Sequence, residues 1–147
     1  MRGWHHHSYE HALAARGISS RYLYHGTSTS ALSGIRQEGL NPFIEPKMWE
    51  GMSQDYIYFT LSEEDAETFS RTTVSEMKEK SGQVDIQNIV LRVNQEEVED
   101  YPDIRGIFEL DEAQSNLEDG IWFTYDGNIP PHLIEVRDPK GKWRRLV

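Results

Sequence analysis

Apolar and polar positions change places at short intervals along this chain, and that rhythm sets out its elements. Tyr22-Leu-Tyr-His25, Tyr56-Ile-Tyr-Phe-Thr60, Ile89-Val-Leu-Arg-Val93 and Ile121-Trp-Phe-Thr-Tyr125 are short runs rich in β-branched and aromatic residues, and each predicts a strand. Between the first two, Ala31, Leu32 and Ile35 fall on one face of a short helix, with Ser28 or Thr29 to cap it and Gly39 to stop it. Ser62-Glu-Glu-Asp65 has the form of a capping box, and Ala66, Phe69 and Thr73 follow at helical spacing, which predicts a helix to about Lys80.

The remaining segments are shorter or irregular. Asn41 to Gln54, with Pro42, Pro46, Met48, Trp49 and Gly51, predicts a long loop, and Gln95 to Asp100 a helical turn or an acidic loop. Pro130-Pro131 opens a turn into Leu133–Arg137, and Asp138-Pro-Lys-Gly141 predicts a hairpin before Lys142–Val147. Several short strands with few helices predict an α+β fold built on twisted, split antiparallel sheets. No repeat or linker divides the 147 residues, so one domain is expected over 21–147, preceded by an N-terminal extension over 1–20.

Composition narrows the class. The chain is 37% hydrophobic and 27% charged, with four Trp, seven Tyr and five Phe, as in a soluble globular domain; no apolar run is long enough to span a bilayer. Met1 to Gly17 lacks the apolar core of a secretory signal, and the chain has no cysteine, so action in the cytoplasm without disulfides or thiol chemistry is expected. Consecutive histidines near a terminus, His5-His6-His7, seldom close a metal site, and no metal is assigned. Trp4, Trp49 and Trp143 are expected in peripheral packing.

The net charge of -10 argues against a broadly basic nucleic-acid surface. The charge is uneven, however. Gln95 to Gly120 holds ten acids against Arg105 alone, whereas Arg137 to Val147 holds five bases against Asp138. One face can therefore repel polyanions while another tolerates them.

The candidate chemistry lies at the strand ends. Cleaving a nicotinamide dinucleotide requires a slot for a flat carboxamide ring, a grip on its ribose, and stabilisation of a cationic ribosyl transition state. His25 can bond a ribose hydroxyl, Gly26 lets the main chain approach the carboxamide, and Thr27 can cap the pocket wall. Tyr58 and Phe69 can supply aromatic walls, with Phe59 beside them.

His25-Gly-Thr27, then Tyr58-Phe59, Ala66 and an aromatic at Phe69 resemble the signature of the diphtheria-toxin-like ADP-ribosyltransferases. In order, Tyr22-Leu-Tyr-His-Gly-Thr27, Ile35-Arg-Gln-Glu-Gly-Leu40, Tyr56-Ile-Tyr58, Ile89-Val-Leu-Arg-Val93 and Asp119-Gly-Ile-Trp-Phe-Thr124 are also similar to the catalytic lobe of RNA 2'-phosphotransferases, from about Arg21 to Arg137. The resemblance implies an ADP-ribosyltransferase-like fold, NAD as co-substrate, and a site of His25, Gly26, Thr27, Tyr58, Phe59 and Phe69.

Departures from each relative set the expected subtype. The phosphotransferases carry histidine at the position of Tyr58, have an additional winged-helix lobe that Met1–Ser20 is too short to form, and use further arginines where the stretch just before Ile89 offers only Lys78 and Lys80. Polymerising transferases carry glutamate where this chain has Ile121, which cannot accept a proton. The resemblance therefore implies a His25-Tyr58-Ile121 mono-ADP-ribosyltransferase that releases nicotinamide and modifies a nucleic acid or protein, as toxins and effectors do. An inhibitory partner protein would accompany such a toxin. The base would come from the acceptor or from Glu109, Glu112, Glu118 or Asp119. The alternatives are a 2'-phosphotransferase, an NAD glycohydrolase and a pseudoenzyme that binds ADP-ribose-like ligands or a partner.

Overall fold

Alternation of buried and exposed side chains turns the short aromatic runs into a single antiparallel sheet. The computed structural model describes residues 22–42, 56–103, 106–115 and 120–147. Its elements are β1 (Tyr22–Ser28), α1 (Thr29–Glu38), β2 (Ile57–Thr60), α2 (Glu63–Ser81), β3 (Asn88–Asn94), α3 (Gln95–Asp100), β4 (Phe108–Leu110), β5 (Trp122–Tyr125), a 3-10 turn (Pro131–Leu133), β6 (Ile134–Arg137) and β7 (Trp143–Arg145). The strands form one sheet in the order β4-β5-β2-β1-β3-β6-β7, every neighbour antiparallel. The molecule is a small single-domain α+β protein. Instead of two separate sheets, it has one sheet with a narrow seam: β1 pairs with β3 at every position from Tyr22 to Ser28, but with β2 only at Tyr24 opposite Thr60.

Each face of the sheet has its own cover. Leu23, Ile57, Phe59, Leu91, Val93, Phe123, Tyr125 and Ile134 share one face and a core cluster with Ile35 of α1, Val98 of α3 and Leu133. Each large apolar side chain buried there stabilises the fold by about 1.5 to 3 kcal/mol. Helix α2 packs on the opposite face, against β1 and β3. Its start is fixed as the sequence suggests, since Ser62 accepts a hydrogen bond from the Asp65 amide at 2.9 Å. Its end is fixed by Gly82 in the left-handed conformation, φ 73°, whose amide donates to the Lys78 carbonyl.

Several boundaries differ from the sequence reading. β1 runs three residues past His25, and Ser28 holds the N-cap position of α1 without a side-chain cap bond, its hydroxyl lying 2.7 Å from that of Ser30. Gln95–Asp100 is helical, capped by Asn94. β4 falls inside the acidic stretch between Gln95 and Gly120: Phe108 packs into the core while Glu109 points to solvent. The expected hairpin forms at Asp138–Gly141, closed by the Asp138 amide on the Lys142 carbonyl at 2.8 Å. The N-terminal extension, with Trp4 and His5 to His7, and most of the expected loop to Gln54, with Trp49, lie outside the described residues.

Candidate functional site at the sheet seam

The seam opens because a side chain takes the place of the ladder. Continued by two residues, the pairing of Tyr24 with Thr60 would set Gly26 opposite Tyr58. Instead the His25 imidazole reaches across, its Nδ1 2.7 Å from the Tyr58 carbonyl oxygen. A carbonyl only accepts, so Nδ1 donates this bond, while Nε2 is buried. The ring is 5% exposed and rests against Phe59, with centroids 5.6 Å apart. It is thus held in one orientation.

Gly26 seats the helix. A Cβ built there would lie 2.2 Å from the Ala66 carbonyl oxygen, so only glycine lets the first turns of α2 come this close to β1. Thr27, next along β1, is buried and paired with Ile89. By strand alternation Tyr58, Thr60 and Trp122 leave the sheet on the α2 side, and Phe59 and Phe123 on the core side. Phe69 of α2 meets Trp122 edge-on, with centroids 5.4 Å apart. Tyr58 and Phe69 therefore share a face, whereas the His25 side chain, in register with Leu91, leaves β1 on the core side with Leu23 and Phe59. Phe59 is a core residue that supports the His25 ring from behind.

The third position behaves differently. Ile121 stands one residue before β5, is 6% exposed and belongs to the core cluster. Of the candidate carboxylates, Glu109 is exposed and opposite Thr124, and Glu112 is exposed in the turn after β4. Glu118 and Asp119 lie outside the described residues. A carboxylate absent from that set lies beside Gly120: a Cβ there would be 2.8 Å from Asp65 Oδ2. The capping pattern located Asp65 in sequence, but only as a helix-start residue. Its place above Gly120 follows from tertiary packing.

Beyond the seam the α2 face is strongly polar. Arg92 lies 3.9 Å from the centroid of Tyr22 and 4.4 Å from that of Trp143, and its Nε donates to Glu135 at 3.0 Å. Burial pushes the Tyr24 phenol above its usual range, and the Arg92 guanidinium partly offsets this. Arg137 ties α2 to β6 through Glu63 at 3.1 Å and Glu67 at 2.8 Å. Two cavities of about 580 and 450 Å³ flank the β6–β7 hairpin, away from the seam. Lys78 and Lys80 are exposed near the end of α2.

The chain matches no family model, and no curated protein resembles it in sequence. Among the described residues no helix is long and apolar enough to cross a membrane, and no group of three His, Asp or Glu side chains is placed to hold a metal ion.

Proposed function

We propose that this protein is a mono-ADP-ribosyltransferase with an ADP-ribosyltransferase-like fold. It would bind NAD at the seam between β1 and β2, release nicotinamide and pass ADP-ribose to a nucleic acid or protein acceptor. The observation that carries the reading is the bond from His25 Nδ1 to the Tyr58 carbonyl. It ties the first candidate residue to the main chain of the second and fixes the imidazole beside the seam. Tyr58 and Phe69 on the α2 face add walls for a planar ring.

The decisive experiment incubates the full chain with labelled NAD and a cell lysate, follows nicotinamide release, and treats the labelled product with nuclease or protease. Transfer predicts free nicotinamide and a label that one of the two treatments removes from macromolecular material. Absence of both products would end the transferase reading.

A further inference from the structure

We propose that the groove between α1 and the β6–β7 hairpin docks a single-stranded nucleic acid. Docking there does not depend on NAD. Where NAD is cleaved, it selects a nucleic acid over a protein as acceptor, and that step alone rests on the reading above.

Strand alternation builds the groove. Leu91 of the core cluster stands opposite Val136, and Val136 opposite Arg144, so Val136 and Arg144 leave the sheet on the core side, as does Ile89 two residues before Leu91. At this end the core is incomplete. Val136 and Leu32 of α1 are only partly buried, and both line a cavity of about 450 Å³, with Arg36 one helical turn beyond Leu32. Pro139 and Lys140 of the hairpin close it. The size suits a small organic group, above an apolar floor and within a cationic rim.

The rim is short of carboxylates. Arg36, Lys140 and Arg144 face Asp138 alone, and Asp138 takes only the Arg144 Nε, at 3.0 Å. Among the described residues Arg36 and Lys140 meet no carboxylate. Arg137, the fourth cation on the wall, is already matched by Glu63 at 3.1 Å and Glu67 at 2.8 Å. A chain of net charge -10 therefore gathers under-compensated cations at one place. Screening limits the reach of distant acids to about 8 Å at physiological salt, so an anion entering the groove meets the rim first.

Charge complementarity selects a polyanion, and the floor selects which one. A single strand alternates phosphates with flat bases, so one base can enter over Leu32, Ile89 and Val136 while its neighbouring phosphates meet the guanidinium forks. A duplex keeps its bases stacked inside and offers the groove only phosphates. An acidic peptide carries carboxylates with no ring to cover the floor.

The test is fluorescence anisotropy of a labelled oligothymidylate decamer with the full chain and no NAD. The expected result is saturable binding whose log affinity falls against log salt with a slope of about -2, the value for three phosphate contacts on a single strand. Arg36→Glu with Lys140→Glu, both at exposed positions, should weaken Kd about tenfold or more and flatten that slope, while circular dichroism and Tm stay as in wild type. Should the reversed pair fail to fold, Arg36→Gln with Lys140→Gln takes its place, with a smaller loss in the same direction. Polyglutamate and a DNA duplex should compete weakly for the site. Wild-type affinity in the paired variant would overturn the groove, and no anisotropy change at low salt would overturn docking itself. Equal competition by polyglutamate or by duplex would overturn a single strand as the occupant. None of these results involves nicotinamide release, so a failure here leaves the transferase reading standing.

Discussion

At the scale of single residues, His25 and Gly26 do unlike work from adjacent positions. His25→Ala removes the bond to the Tyr58 carbonyl, a loss of about 0.5 to 1.5 kcal/mol that a stable domain survives. Nicotinamide release should nevertheless fall to background while far-UV circular dichroism is unchanged, and wild-type release by His25→Ala would move the site elsewhere. Gly26→Ala should act through packing. Its new methyl would meet main-chain oxygen, which cannot rotate aside, so α2 must shift, with an expected loss of about 1 to 3 kcal/mol in urea denaturation. The sequence made both residues conspicuous, but for His25 it held no sign of the partner, because a main-chain carbonyl has no residue type. It likewise marked Gly26 as a place of close approach without saying that a helix is what comes close.

At the scale of elements, legibility followed periodicity. α2 was readable from both its cap and its apolar stripe, and cap removal should be measurable: Ser62→Ala is expected to cost about 0.5 to 2 kcal/mol by chemical denaturation, with the helix otherwise intact. β4 was not readable. A three-residue strand with one buried side chain has no period to detect, and the surrounding acids hide it. The β6–β7 hairpin was readable from Asp138-Pro-Lys-Gly, and the structure adds a pH dependence. The Lys142 and Lys140 amides and the Arg144 guanidinium hold the Asp138 carboxyl below its usual range. A depressed native pKa means that the ionised form stabilises the fold. That contribution is complete above about pH 4 and is lost as pH falls through the lower native value. Amide exchange at Lys140 and Lys142 should accelerate relative to the core as the solution is acidified below that point; protection that stays constant would refute the link.

At the scale of the whole molecule, the α+β class was foreseeable, whereas the single sheet in place of split ones, and its seam, required the pairing itself. Four strand runs were visible in the sequence, but which of them would meet at only one position was not, since register is set by the assembled core. On the proposed reading NAD binds the native state alone. Millimolar NAD should therefore raise Tm, and the modified acceptor should carry one ADP-ribose unit by mass spectrometry. No shift with NAD or a nicotinamide mimic would remove the pocket, and a polymer on the acceptor would be incompatible with an uncharged Ile121 at the strand start.

The strand order also governs what a ribosome would release. Neither side of the seam is a continuous stretch of chain: β2 is made between β1 and β3, and β4 and β5 are made between β3 and β6. β2 pairs with β5, Ile57 with Tyr125, so Tyr58 is held from its far side only when residues more than sixty positions later have emerged from the exit tunnel. A nascent chain interrupted before Trp122 contains both His25 and Tyr58 and still has no strand to brace the second against the first. Termination before β5 therefore leaves β2 without its outer neighbour, and two pieces divided anywhere between β1 and β5 would have to interleave or straddle their strands to rebuild the sheet, whereas β6 and β7 could be added at its edge.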